Sequence, residues 1–314
     1  MKFDPIGVAG LGQLGRGIAA CFLSRGFRVI SFDPSPAARE RARSYIQNAL
    51  QELVTRAGFP ETILSDWMNC FTEAASLADF GPCRFVIESV IEDLAIKSQV
   101  FDEIEAVVAD DVPIASNTSA LPISLLQSTR KHPERFLGMH WNDPAYATQF
   151  LELVHGDKTS DEAFAAAVEL ASMLDKEPAL VRKDVPGFVA NRMAYAMYRE
   201  AVHLLETGVA DVETIDSAFR NSVGLWASFC GPLRWIDITG GPWLYATAMK
   251  GVLPSLNNSP ELPETLEVAL RNKNLGTKNG RGFYSYQQGD AERWEASFRE
   301  HAWRMSRPGA KKSD

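Results

Sequence analysis

Short apolar, β-branched runs alternate with stretches of helical period through the first half of the chain. Ile6, Gly7, Val8 and Ala9 form a run of strand length, and the pattern over residues 13–25 then turns Leu14, Ile18 and Phe22 to one helical face. A second strand is predicted at 27–32, followed by a long helix from Pro36 to Ala57 and another reaching Ala78. Strands are also predicted at 84–88, 112–116 and 135–139, with a helix over 94–109 between the first two, and 150–154 and 179–182 extend the series. Such alternation predicts a doubly wound parallel sheet, because parallel neighbours need a crossover helix to join them.

The period changes after Asp184, Val185, Pro186 and Gly187. From Phe188 the pattern is helical, over 188–206 and 211–222 and then in Trp-containing segments broken by Gly240, Gly241 and Pro242. The predicted organisation is an α/β domain over 1–185, an all-helical domain over 186–286 and a tail over 287–314 with a helix at 291–303. No internal repeat or low-complexity segment interrupts it.

Gly10-Leu11-Gly12-Gln13-Leu14-Gly15 fits G-x-G-x-x-G directly after the first strand and at the start of a helix. In that position Gly10 allows the tight turn, Gly12 lets a diphosphate approach bare backbone, and Gly15 lets helix and sheet pack closely. The first helical turn, including Gln13 and Leu14, presents N–H groups to the phosphates. Asp33 closes the second strand, where a carboxylate binds the adenosine ribose diol. A carboxylate there repels a 2′-phosphate, and Pro34, Ser35 and Pro36 bring no arginine to neutralise one, so the expected cofactor is NAD, not NADP.

Composition narrows the class. The chain has 314 residues, 46% of them hydrophobic and 23% charged, which excludes wholesale disorder and leaves room for two domains. A net charge of −8 without a basic stripe argues against nucleic acid, and Lys311-Lys312 is too short a cluster to anchor the chain. Cys21, Cys70, Cys83 and Cys230 lack metal-ligand spacing, and no leader or apolar span stands out, so no metal and a cytoplasmic location are expected.

Four further segments carry the chemistry: Ala115-Ser116-Asn117-Thr118-Ser119, Gly138-Met139-His140-Trp141, Leu151-Glu152-Leu153-Val154, and Pro186-Gly187-Phe188-Val189-Ala190-Asn191-Arg192. With the Gly-rich turn and Gly280-Arg281-Gly282-Phe283-Tyr284, they resemble the L-3-hydroxyacyl-CoA dehydrogenase family over residues 5–286. The resemblance implies that His140 is the general base for a secondary alcohol and that Glu152 orients it. Ser119 and Asn191 would bind substrate oxygens, and Glu92, Lys97 and Asn117 would line the nicotinamide-ribose end. It also implies a homodimer formed through the helical domain. Read singly, each residue has a plainer explanation: a structural histidine, the polar face of an edge strand, a helix cap, an exposed helix position.

Two departures bear on the substrate. The family's Lys-rich helical pair, which meets the CoA phosphates, corresponds to 44–77, where Arg56 is the only cation among several carboxylates. The aromatic turn around Trp226 and Phe229 resembles the branch holding L-gulonate dehydrogenase and lambda-crystallin, carnitine dehydrogenase and a pyridine-carboxylate dehydrogenase. Asp143 also stands where the family usually has Asn. The expectation is a small hydroxy acid or its keto form. A short acyl-CoA is the alternative substrate, and a non-catalytic NAD-binding or structural protein is a third possibility. The related β-hydroxyacid dehydrogenases use a lysine on the helix after Pro186, where this chain has Asn191 and Arg192.

Overall fold

The computed structural model describes residues 1–305; Lys311, Lys312 and the end of the predicted tail lie outside the described residues. The chain divides into two compact units. One comprises Met1–Arg192 together with the described residues from Arg299 to Met305, and the other is Met193–Phe298.

The first unit is built on an eight-stranded sheet: β1 (Ile6–Ala9), β2 (Val29–Phe32), β3 (Phe71–Glu73), β4 (Phe85–Glu88), β5 (Ile114–Ser116), β6 (Phe136–Trp141), β7 (Phe150–Val154) and β8 (Glu177–Val181). Their spatial order is β3-β2-β1-β4-β5-β6-β7-β8. The order reverses direction between β1 and β4, and the Gly-rich turn lies at that switch point, where open α/β sheets bind ligands.

Six helices accompany the sheet: α1 (Gln13–Leu23), α2 (Pro36–Ala57), α3 (Ile63–Cys70), α4 (Leu94–Glu105), α5 (Ile123–Gln127) and α6 (Asp161–Met173). Because successive strand residues face opposite sides, the sheet feeds two cores. Phe85, Ile87, Leu137, Met139 and Trp141 join Ile18 and Phe22 of α1 and Leu50 of α2 on one side. Val86, Ile114 and Phe136 join Phe101 and Ile104 of α4 on the other.

The doubly wound sheet followed by a helical domain is as predicted, with three corrections. The second predicted helix stops at Cys70, and Phe71–Glu73 pairs with β2 as an edge strand too short to leave a periodic signature. Helix α6 was not predicted, although Ser160 caps it by accepting from the Ala163 N–H and Asp161 and Glu162 lie in its first turn. Finally, β7 runs antiparallel to β6, so the sheet is not wholly parallel. Residues 142–149 between them contain no helix, and without a crossover the chain has to turn back.

The second unit contains most of α7 (Ala190–Glu206), then α8 (Val212–Asn221), α9 (Val223–Ala227), α10 (Pro232–Ile238), α11 (Gly241–Val252) and α12 (Glu264–Arg271). The last helix, α13 (Asp290–Met305), starts in the second unit, and its residues from Arg299 belong to the first.

Candidate active site

Antiparallel pairing brings the first two site residues together. His140 on β6 stands directly opposite Glu152 on β7, so both side chains emerge on the same face as cross-strand neighbours. Their contact is 2.8 Å, from His140 Nδ1 to Glu152 Oε2, and both groups are buried, Glu152 completely. Burial pushes the Glu152 carboxyl up, but the hydrogen bonds from His140 and from the Ala190 and Val189 backbone outweigh it and hold the group below its ordinary range. An ionised carboxylate can only accept, so Nδ1 carries a proton, and in the neutral ring the lone pair is then on Nε2.

Nε2 faces the Ser119 hydroxyl at 3.2 Å. Ser119 sits on the turn between β5 and α5, and Gly138 allows that turn to come close. A Cβ on Gly138 would meet Val154 Cβ at 2.8 Å and Ile123 of α5 at 3.0 Å. Asn191 joins the same group by donating from Nδ2 to the Ser119 carbonyl at 3.1 Å. Glu152 supports Asn191 as well, because its Oε1 accepts from the Val189 and Ala190 N–H groups (3.0 and 2.9 Å) where α7 begins. One carboxylate therefore orients the imidazole and satisfies orphan donors of the helix that carries Asn191.

Two aromatic rings that sequence reasoning missed enclose the imidazole: Phe188 at 5.7 Å and Phe150 at 6.2 Å between ring centroids. Phe188 holds φ at +51°, a left-handed conformation that costs a side-chain-bearing residue about 1–2 kcal/mol. Its ring is buried against His140, and the strained turn Gly187–Phe188 places it there. Nothing in the local pattern distinguishes it from an ordinary core phenylalanine.

Glu92, Asn117 and Lys97 form the support of this turn. Glu92 Oε1 accepts from the Thr118 hydroxyl (2.5 Å) and from the N–H groups of Ser119 (3.0 Å) and Ala120 (2.9 Å). Burial raises the Glu92 carboxyl, but those bonds and Lys97 bring it below its usual range. Lys97 has no exposed surface; its Nζ lies 2.7 Å from the equally enclosed Glu88 and 3.3 Å from Glu92. From that enclosed position Lys97 holds Glu92 beneath the turn. Glu88, also missed from sequence, further accepts from the Ser116 hydroxyl at 2.6 Å. Asn117 binds the Trp141 N–H through Oδ1 (2.9 Å) and Ser89 through Nδ2 (3.1 Å), tying the ends of β4, β5 and β6 together.

The dinucleotide fingerprint meets its geometric requirements. Gly10 adopts φ +96°, and a Cβ there would fall 2.5 Å from the Ser89 carbonyl; on Gly15 it would fall 2.0 Å from that of Gly10. Gly12, at the N-cap of α1, meets nothing within 4 Å, which leaves bare backbone open to a diphosphate. Asp33 anchors the loop by accepting from the Leu11 N–H through Oδ2 and the Ser35 N–H through Oδ1, each at 2.9 Å. One point of the sequence reading is corrected: α2 brings Arg39 back to donate to the Asp33 carbonyl at 2.6 Å. Its guanidinium lies 3.7 Å from Glu73, which offsets the charge a 2′-phosphate would need. Among the described residues no cluster suits a metal ion, and all four cysteines are free.

This combination defines a nicotinamide-dependent dehydrogenase acting on a hydroxyl group. Residues 5–185 match the NAD-binding domain of 3-hydroxyacyl-CoA dehydrogenase and residues 187–286 its C-terminal domain, so the chain belongs to that family and its cofactor is NAD. The chain is 35% identical, over 90% of its length and 90% of the relative's, to 5-formyl-3-hydroxy-2-methylpyridine 4-carboxylate 5-dehydrogenase of Mesorhizobium japonicum. It is 33% identical to 3-hydroxybutyryl-CoA dehydrogenase of Mycobacterium tuberculosis, over 90% of this chain and 98% of that one. Among solved structures, a 5-formyl-3-hydroxy-2-methylpyridine 4-carboxylic acid 5-dehydrogenase superposes with TM-score 0.91 at 30% identity, covering 99% of this chain and 100% of that one. The (S)-3-hydroxybutyryl-CoA dehydrogenase of Ralstonia eutropha gives 0.76 at 30% identity, covering 91% and 100%.

Proposed function

We propose that this enzyme interconverts a small free hydroxy acid and its oxo form, with His140 as the general base and Glu152 as the group that orients it. The carrying observation is the sequence of contacts Glu152 Oε2, His140 Nδ1, His140 Nε2, Ser119 Oγ, with Asn191 bound to the same serine. In the oxidising direction His140 Nε2 takes the hydroxyl proton, and the adjacent carboxylate stabilises the resulting imidazolium. Ser119 and Asn191 hold the substrate oxygens, and Phe150 and Phe188 keep water from the imidazole. NAD, when bound on the Gly10–Gly15 turn, supplies the hydride acceptor. In the reducing direction the imidazolium returns the proton.

The free-acid reading draws support from charge. Arg56, the lone cation of the 44–77 stretch, is paired with Glu300 of α13 at 2.6 Å. Arg43 of α2 is shared between Glu73 and Glu40. Guanidinium groups already committed to carboxylates offer little to the phosphates of CoA. The fuller superposition on the pyridine-carboxylate enzyme points the same way. An NADH-coupled panel tests it: 5-formyl-3-hydroxy-2-methylpyridine-4-carboxylate, 3-hydroxybutyrate, carnitine, L-gulonate and 3-hydroxybutyryl-CoA. A free acid is expected to exceed the CoA thioester in kcat/KM by tenfold or more. The reverse order favours an acyl-CoA substrate, and silence on every member with NADH still bound favours a non-catalytic protein. The bare helices of the second unit support a homodimer, and four free cysteines suit a reducing, cytoplasmic setting.

A further inference from the structure

Arg16 directly follows the third glycine of the fingerprint. Its guanidinium lies over the Tyr45 ring of α2, 4.3 Å from the centroid. Its Nε is buried without a hydrogen-bond partner, and Arg16 forms no ion pair among the described residues. Asp143, in the loop after the catalytic strand, shows the complementary defect. Its Oδ2 accepts from Gln13 Nε2 at 3.1 Å, while its Oδ1 is buried and unpartnered. The loop is pressed against α1, since a Cβ on Gly17 would lie 3.2 Å from Ala145 Cβ and 3.7 Å from the Tyr45 hydroxyl. Both charges bear on Tyr45: burial first and Asp143 next push its hydroxyl pKa up, and Arg16 opposes them.

Four other arginine Nε atoms among the described residues share that state, so the sharper signal is Asp143 Oδ1, since a buried carboxylate oxygen without a partner is a demand for one. The neighbouring Arg16 guanidinium has no ion pair among the described residues, yet it does not meet this carboxylate. Contact with the Tyr45 ring limits where the guanidinium can go, and its outer N–H groups form a fork suited to two oxygens of one anion. Helical side chains lean toward the N-terminus, which for Arg16 is the direction of the turn that opens α1. That turn is the one left open at Gly12.

We propose that Arg16 is an oxyanion-binding residue of the active site, held on Tyr45 to receive the diphosphate of the dinucleotide or the carboxylate of the substrate, with Asp143 as the adjacent charge that limits its strength. The proposal rests on the dehydrogenase reading above. Its position on α1 favours the diphosphate.

NADH titration by fluorescence and steady-state kinetics separate the sources, using whichever free acid of the panel the wild type turns over. Arg16→Ala is expected to raise the NADH Kd about 10- to 100-fold, the range of a charge-assisted bond lost. Arg16→Lys, which keeps the charge without the stacked plane, falls between. Asp143→Asn tightens NADH binding by about threefold as the opposing charge goes. If NADH affinity holds while the KM for the acid rises tenfold or more in Arg16→Ala, the anion is the substrate carboxylate. Arg16→Gln with an unchanged Tm and near-UV spectrum guards against loosened packing around Tyr45. If NADH Kd and acid KM both stay within twofold of wild type in Arg16→Ala and Arg16→Gln, Arg16 binds no anion and the proposal falls. A wild type that binds no NADH overturns the dehydrogenase reading itself, which is a different failure.

Discussion

The two units bury their apolar side chains to opposite extents. In the sheet unit, Phe22, Phe80, Phe85 and Phe101 are fully enclosed. In the helical unit, α8 to α12 contain no buried residue, and α7 buries only Val202. Leu225, Phe229, Leu233 and Trp243 are each 70–79% exposed. Burying a side chain of that size stabilises by about 1.5–3 kcal/mol, so four left in water withhold on the order of 10 kcal/mol. A parallel sheet covered on both faces makes its own interior, whereas short amphipathic helices laid side by side make one only when something covers them. The sheet unit carries the candidate chemistry, and the helical unit leaves exposed the apolar side chains on which the proposed homodimer rests.

The sharpest way to break this division is at the base. His140→Gln should lower kcat by about 100- to 10,000-fold, the range for a general base, while the NADH Kd stays near wild type. Single-turnover absorbance at 340 nm and fluorescence titration measure the two quantities. Retained turnover would remove His140 from the chemistry and leave the sheet unit as a nucleotide-binding fold only.

Stability should divide in the same way. Phe22→Ala opens a cavity in a closed core and is expected to cost about 3–5 kcal/mol in urea unfolding, independent of protein concentration. Leu225→Ala should cost under about 0.5 kcal/mol in the dissociated chain, since its side chain is already in water. Equal costs would mean that the helical unit has an interior of its own. Association gives the next test. Leu233→Asp with Trp243→Asp should halve the mass found by sedimentation and raise the dimer Kd about 30-fold or more, the effect of losing one hot spot. A wild type that sediments as a monomer at all concentrations would remove the proposed homodimer.

The sequence was most legible where local chemistry and period agreed. The β1–α1–β2 unit could be read because its glycines, its helix and Asp33 each serve the same ligand geometry. The long helix expected over roughly Pro36 to Ala57 is found there, with Ser35 as its cap and Gly58 ending it in a left-handed turn. The three residues of β3 were invisible, since all three are set by pairing with β2 and not by any repeat. The pairing of His140 with Glu152 came from family pattern; its physical basis, an antiparallel register, was hidden behind the expectation of a parallel sheet. The enclosure of Lys97, the stacking of Arg16 and the position of Phe188 depend on contacts distant in sequence, and periodicity carries no record of those.

Charge can be tested apart from packing where α7 begins and the chain passes toward the helical unit. Glu152→Gln keeps an acceptor for the Val189 and Ala190 N–H groups but loses the charge that binds His140 Nδ1–H, at an expected cost of about 1.5–3 kcal/mol near neutral pH. The pH dependence separates charge from packing. The folded carboxyl lies below its ordinary range, so its contribution is complete above the unfolded value of about 4.3 and is lost as pH falls through the folded one. The stability gap between wild type and Glu152→Gln should therefore narrow on acidification below about pH 5. Urea unfolding at pH 7, 5 and 3.5 measures it. A gap that does not change with pH would mean that shape, not charge, is what Glu152 contributes, and the imidazole would then lack the anion that stabilises its protonated form.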